Sequence, residues 1–399
     1  MKRKRLKIFE KVFEGVLFSS STVTSLTVLF IIIFLFSEGI GLFNSTPVEK
    51  KYKFIVSNDN TVKELSSKQL KDIFNYDITN WQQLGGKNDS IILFTINDLS
   101  TYFTDEELGA NFENLPSKIN ELIKQQPGIL AYLSDKYIPA KLEGHVIPLT
   151  KISVTDFVSG TEWYPTSEPA PQFGVLPLIL GTLWVSFGAI LIALPLGLAT
   201  AIFMAEVAGQ RLRNILKPVI ELLAGIPSVV YGFFGLVVLV PLIQQLFDLP
   251  VGETALAGSI ILGIMALPTI ITVSEDALRT TPISLKEASL ALGATRWQTI
   301  TKVTIPYARS GITAASILGI GRAVGETMAV LMVTGNAGVI PHTFLEPVRT
   351  IPATIAAELG EASYGGLHFK ALFALGIILF LITLIINTSV ELIKTRRSS

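Results

Sequence analysis

The 399-residue chain has no cysteine, only three histidines and no excess of charge, with 32 Lys and Arg against 32 Asp and Glu. Without cysteine there is neither a disulfide framework nor a thiolate metal site, and cysteine usage says nothing about the compartment. His145, His342 and His368 are widely separated, so no histidine-based metal or catalytic cluster suggests itself. A balanced charge argues against a nucleic-acid binder, which would carry a basic patch. A nucleotide loop is also missing: Gly85-Gly86-Lys87-Asn88 lacks the glycine spacing and the Ser or Thr after its lysine. Gly319, Gly321 and Gly325 lie inside an apolar stretch rather than after a strand, so they form no dinucleotide fingerprint. The chain therefore reads as a non-enzyme that needs no cofactor.

What the sequence does have is apolar length. Hydrophobic residues make up 49% of it, and low-charge runs at 17–36, 173–204, 219–247, 255–273, 312–334 and 371–389 approach or exceed the ~20 residues a helix needs to cross hydrocarbon. Six spans are expected. The opening MKRKRLK is similar to the positive end of a signal peptide, but the run after it is long enough to span and lacks a small-residue cleavage site, which favours a retained anchor. Lys and Arg in short loops set orientation. Lys2, Arg3, Lys4, Arg5, Lys7 and Lys11 precede the first span; Arg211, Arg213 and Lys217 follow the second; Arg279, Lys286, Arg296, Lys302 and Arg309 follow the fourth; Lys394, Arg396 and Arg397 follow the sixth. All fall on one side, so both termini are expected in the cytoplasm.

The polar stretch at 43–172 then lies outside. Its short apolar runs KFIVSN, SIILFTIN and GILAYLS read as strands, and LSSKQLKDIF reads as an amphipathic helix. PTSEPAPQ, which cannot easily continue helix or strand, is a linker back to the membrane. The expected organisation is a cytoplasmic N-terminus and first helix at 1–42, an extracytoplasmic α/β insert at 43–172 and a membrane core at 173–399. The fold class is an all-α polytopic membrane protein of six transmembrane helices, with the insert between helices one and two. Pro177, Pro195, Pro227, Pro241 and Pro268 imply a packed bundle in which neighbours satisfy the freed backbone groups. Gly321 and Gly325 form a small-xxx-small pair suited to close helix contact.

The fifth span, ILGIGRAVGETMAVLMVTGN, holds Arg322 and Glu326. Four residues apart on a helix, they would project from one face and touch. A charge at mid-bilayer costs from ~2.5 to above ~10 kcal/mol, so the pair is expected to face the bundle interior or water and to have a function. A self-neutralising pair that only fixes packing is the alternative, though buried ion pairs stabilise no better than apolar pairs of equal volume.

Between spans four and five, Ser284 to Leu292 reads as a short helix that Gly293 can end. Glu287-Ala288-Ser289, then Gly293, then Val303-x-Ile305-Pro306, resembles the EAA loop of ABC-importer permeases, whose pattern is E-A-A, three residues, G, nine residues, I-x-L-P. Ser stands for the second Ala, Val for Ile and Ile for Leu. The resemblance implies that 282–306 forms a coupling helix seated in a groove of a cytoplasmic ATPase subunit.

EWYP, FGVLPLILGTLWVS, ELLAGIPSVVYGFFGL and GIGRAVGETMAVLMVTGN resemble phosphate-importer permeases of the PstC type. This implies the ABC importer type I permease fold in a bacterial inner membrane. It also implies a second homologous permease, two ATP-binding subunits, an extracytoplasmic phosphate-binding protein and phosphate as substrate. On that reading Arg322 offers its donor fork to phosphate oxygens. Glu326 either pairs with Arg322 when the pathway is empty or accepts a hydrogen bond from a P–OH group; Thr327, Thr334 and Asn336 are secondary polar contacts. A permease for molybdate or sulfate, or a membrane sensor of phosphate occupancy that carries no flux, are the alternatives, and the EAA loop argues against the sensor.

LSSKQLKDIFNYDITNWQQLGG, with SIILFTINDLS and QQPGILAYLSDKY, resembles part of one lobe of a phosphate-binding protein, in particular its L-T-x-x-x-L-x-x-I-F-x-G-x-I-T-N-W stretch. Where that family carries an Arg and an S-G-T turn, this chain reads Asn97-Asp98-Leu99-Ser100-Thr101, an acidic replacement that disfavours an anion. Ser159-Gly160-Thr161 belongs to a segment resembling the permease and reads as coincidence. The insert is thus expected to dock, gate or recruit a separate binding protein rather than capture phosphate.

Overall fold

A computed structural model describes residues 2–48, 52–109, 111–169 and 171–396, so Arg397 lies outside the described residues. The chain divides into two compact units, one of Ile40–Gly174 with Gly365–Ala371, the other of Met1–Gly39, Val175–Tyr364 and Leu372–Ser399. Helix α1 (Lys2–Ile40) opens the chain.

The smaller unit is built on a mixed sheet of order β2-β3-β1-β4, where β1 is Tyr52–Ser57, β2 Ile92–Thr95, β3 Ile129–Ser134 and β4 Gly144–Val146. β1 runs antiparallel to β3 and β4, and β2 runs parallel to β3. Alternate side chains leave a strand on opposite faces. Phe54, Val56 and Leu130 accordingly join a core with Leu70, Ile73 and Trp81, while Ile55, Ile129 and Ala131 join a second core with Leu115, Ile119 and Ile123. Helix α2 (Ser67–Phe74) covers the first face and α3 (Leu115–Gln125) the second. A reciprocal capping box between Ser66 and Gln69 starts α2, satisfying two orphan amides at once. The Trp81 indole donates to the Gly128 carbonyl at 2.8 Å. Gly85, at φ +80°, closes the short turn Trp81–Leu84.

The larger unit contains α4 (Leu176–Ile202), α5 (Gln210–Gly225), α6 (Ser228–Phe247), α7 (Ala255–Arg279), α8 (Ile283–Ala291), α9 (Ile305–Gly325), α10 (Met328–Val333), α11 (Ile351–Glu358) and α12 (Leu367–Arg396). With lipid tails as apolar as leucine, close packing rather than hydrophobicity must join such helices. A Cβ on Gly197 of α4 would lie 2.7 Å from Ile270 of α7. The Ser259 hydroxyl of α7 donates to the α4 carbonyl of Val185 at 3.2 Å. Thr254 caps α7 by accepting from the Ala257 amide.

Among the described residues, five helical segments are long and apolar enough to cross a membrane: Phe13–Asn44, Leu176–Val207, Ser228–Phe247, Ala255–Arg279 and Leu367–Ser389. The span expected at 312–334 is not among them, because the helix there ends at Gly325 and restarts at Met328. The run expected at 219–247 is divided too: its first residues belong to α5, and Ile226-Pro227 separates them from α6.

Candidate functional site

The break between α9 and α10 changes the geometry of the charged residues. Arg322 sits in the last turn of α9, while Glu326 is extended at φ −70° and ψ 136°. The two are therefore not on one continuous helical face, as the spacing suggests, and neither has an ion-pair partner among the described residues. Gly325, whose helix propensity is about 1 kcal/mol below alanine, followed by two polar residues, is the local reason for the break. Both charges are half-buried. Tyr231 of α6 packs in one buried cluster with Ala323, the neighbour of Arg322, and its hydroxyl donates to the Leu223 carbonyl of α5 at 2.8 Å.

The secondary polar residues are mostly engaged with backbone. The Thr334 hydroxyl is fully buried and donates to the Val330 carbonyl at 3.0 Å, which leaves it no proton for a passing ligand. The Asn336 amide donates to the Leu331 carbonyl at 2.7 Å, leaving Oδ1 buried without a partner. Thr327 donates to Gly325 at 3.3 Å and, with Gly325, borders an open cavity of about 500 Å³ walled by Pro352, Ile355 and Leu379. Gly321 and Gly325 do not serve helix packing within this chain, since a Cβ on either would meet nothing within 4 Å. The close approach is made instead by Gly311 against Ala277 and by Gly319, where a Cβ would lie 2.8 Å from Ile270.

At the other end of α7, α8 presents Ile283, Leu285, Leu290 and Leu292 to the exterior, with Leu292 at 90% exposure. Glu287 and Ala288 are exposed beside them, and Ser289 lies 3.0 Å from the Thr299 hydroxyl, which pins the helix to the next turn. Gly293, at φ +87°, ends α8 in the left-handed conformation that favours glycine. Pro306 comes just after the π-helical turn Ile300–Thr304, so it lies at a bulge within a continuous helical run.

Ion pairs centred on three acids of this unit have no signal in the sequence. Glu275 of α7, 1% exposed, accepts from Arg213 of α5 at 2.7 Å, with Lys217 and Arg279 each at 3.8 Å. Lys286 of α8 pairs with Glu206 at 2.6 Å, and Arg349 with Glu358 at 3.0 Å. Each acid is far in sequence from its main basic partner or on a different element, so no local pattern signals them.

In the smaller unit Asp98 turns inward, accepting from both the Thr95 amide and hydroxyl at 2.8 Å. It closes its own turn rather than facing a ligand. Ser159, Gly160 and Thr161 border a cleft of about 300 Å³ that Lys68, Lys71 and Lys151 share with Asp72, Asp156 and Glu162. Lys71 is paired with Glu162, and the remaining cations are matched by acids in number, so the cleft has no net preference for an anion. No metal-binding cluster occurs among the described residues.

A bundle of long apolar helices, broken beside a half-buried charge and carrying an exposed apolar helix at one end, defines a membrane transport subunit. The chain belongs to the family of binding-protein-dependent transport system inner membrane components, which matches residues 193–399. Residues 46–182 match a PBP superfamily domain. The chain is similar to a probable ABC transporter permease protein, YqgH, of Bacillus subtilis, at 44% identity over 62% of this chain and 79% of that protein. It is also similar to phosphate transport system permease proteins PstC: that of Mesorhizobium japonicum at 42% identity over 58% of this chain and 75% of that one, and that of Haemophilus influenzae at 35% over 70% and 94%.

Proposed function

We propose that the chain is the permease subunit of an ATP-driven phosphate importer. It forms half of the translocation pathway together with a second homologous permease, and it is driven by two ATP-binding subunits. The observation that carries this reading is Arg322, a half-buried guanidinium at a helix break with no carboxylate partner among the described residues. Leaving such a cation unpaired within a bilayer-spanning bundle is costly unless water or an anionic substrate completes its contacts, and a planar donor fork suits phosphate oxygens. The names of the similar PstC proteins support phosphate as that substrate.

The broken pair α9 and α10 crosses the membrane together as the fifth of six spans. Because its backbone is irregular at Glu326 and Thr327, it must line a polar cavity or be covered by protein there. Glu326 is placed to meet a P–OH group. α8, with Glu287, Ala288, Ser289 and Gly293, seats in the ATPase. Both termini are cytoplasmic in the inner membrane, with the insert at 43–172 extracytoplasmic between 1–42 and the core at 173–399. The insert docks or recruits a separate phosphate-binding protein, consistent with its charge-balanced cleft.

The decisive measurement is uptake of labelled phosphate by the complex with Arg322→Gln. Uptake is expected to be abolished while insertion and assembly persist; undiminished transport would remove Arg322 from the pathway. Competition by molybdate and sulfate, expected to be weak, checks the substrate.

A further inference from the structure

Glu275 lies one helical turn before α7 ends at Arg279, and only Thr280 to Pro282 separate α7 from α8. α7 is thus the stem of the exposed α8 helix. The buried Glu275 carboxylate ties that stem to α5 through Arg213 at 2.7 Å and Lys217 at 3.8 Å, and Lys217 also reaches Asp276 at 3.6 Å. As a stabilising device this is poor, because apolar side chains of the same volume would serve as well or better. The place of α5 suggests another use. Near its far end the Leu223 carbonyl accepts the Tyr231 hydroxyl at 2.8 Å, and the Tyr231 ring packs in one buried cluster with Ala323, next in the chain to Arg322. A series of contacts therefore runs from the stem of α8 through Glu275, Arg213 and α5 to Tyr231 and the cluster it shares with Ala323.

We propose that Glu275 is a positioning residue that makes a displacement of α8 a displacement of α5, and so moves Tyr231 and the cluster it shares with Ala323, the neighbour of Arg322. It touches no substrate. The proposal rests on the transport reading above, and it assigns the step by which hydrolysis at the inner surface reaches the charged break. Contiguity alone is not evidence of coupling, so the test must read the linkage itself.

The absence of cysteine makes that direct. Cysteines placed at the exposed Leu212 of α5 and Leu292 after α8 can carry spin labels on the full chain, and pulsed resonance then gives the distance between them. A narrow distribution is expected in the otherwise unaltered chain and a broad one with Glu275→Gln. Arg213→Gln, which leaves Glu275 with Lys217 and Arg279, serves as a second variant and should broaden it less. An unchanged distribution in both variants would overturn the linkage, independent of any substrate. In liposomes with the ATPase and binding protein, Glu275→Gln is expected to lower phosphate imported per ATP hydrolysed by about ten-fold, with Glu275→Asp recovering much of it. Equal loss of uptake and hydrolysis would mean a merely structural role and would also overturn it. If the unaltered complex hydrolyses ATP yet imports no phosphate, the transport reading fails while the distance measurement still judges the linkage.

Discussion

The two units treat charge in opposite ways. In the smaller one, charged side chains stay at the surface and close local loops. Glu107 accepts from the Thr104 amide at 3.0 Å, Lys118 reaches Glu121 at 3.1 Å, and Lys53 meets Asp135 at 2.8 Å with both groups about half exposed. Exposed pairs of this kind contribute at most about 1 kcal/mol, so that unit depends on the two apolar layers around its sheet. In the larger unit the exterior is apolar and charges are drawn inward, where Glu275, Glu206 and Glu358 each hold a basic partner. Water answers a lone charge in the first environment but not in the second. An unpartnered surface lysine such as Lys68 is therefore uninformative, whereas an unpartnered Arg322 within the bundle points to a function.

The largest expected effect would break the claim that apolar layers hold the smaller unit. Trp81 is 2% exposed and bonds Gly128; Trp81→Ala should cost about 3–5 kcal/mol. Limited proteolysis of the full chain should then cut within 52–174, and resistance equal to the unaltered chain would refute the claim. Next in size is the packing of the larger unit. Gly319→Val forces a branched side chain against Ile270 and should cost about 1–3 kcal/mol, whereas Gly321→Ala has open space and should be neutral or better. Thermal midpoints in detergent check the contrast, and equal losses would mean that Gly321 is also a contact.

Those glycines show how far the sequence can be read. α9 carries two rows of small residues at four-residue spacing, Gly321 with Gly325, and Gly311, Ala315, Gly319 and Ala323. Spacing alone does not say which row meets α7; the structure buries Ala315, Gly319 and Ala323. Short apolar runs made β1, β2 and β3 legible, and the amphipathic pattern of LSSKQLKDIF made α2 so. The short edge strand β4 has too few residues to carry a pattern, and the helical spacing of Leu115, Ile119, Leu122 and Ile123 in α3 is masked by polar and charged neighbours. Arg322 stood out as a cation in an apolar run, and the match of Glu287, Ser289 and Gly293 to a known loop pointed to α8. The helix break and the Glu275 cluster were hidden for different reasons. Gly325-Glu326-Thr327 is too short an interruption between apolar runs to mark a break by composition, and Arg213 is 62 residues from Glu275.

A smaller effect sharpens the account of the insert. Tyr76 follows α2 at φ +64° with its side chain 72% exposed, in a conformation that is strained for L-residues by about 1–2 kcal/mol. The binding-protein stretch it resembles has glycine at this position. Tyr76→Gly should relieve the strain but adds freedom to the unfolded chain, leaving a net gain of about 1 kcal/mol or less. A lower thermal midpoint would show that the exposed ring makes a contact in the folded chain.

The smallest expected effect concerns acid. The Thr104 amide, with its hydroxyl and Lys118 adding to it, holds the Glu107 carboxyl below its ordinary value of 4.5. A carboxylate lowered in the folded chain binds protons more readily when unfolded, so its contribution is present above the unfolded value and is lost as pH falls through the lower folded value. The window therefore opens just under 4.5 and extends downward. Lys118, raised chiefly by its hydrogen bond to Glu121, stays charged throughout that range, so it adds no slope of its own. Because Glu107 is at the surface, salt should weaken the Lys118 contribution, while the backbone hydrogen bond should resist it. The comparison to make is the pH dependence of unfolding with and without Glu107→Gln. The variant should lose stability at neutral pH and show a shallower decline in acid. Parallel curves would mean that the cap closes its turn without favouring the charged form, and that the surface charges of this unit are still less consequential than their geometry suggests.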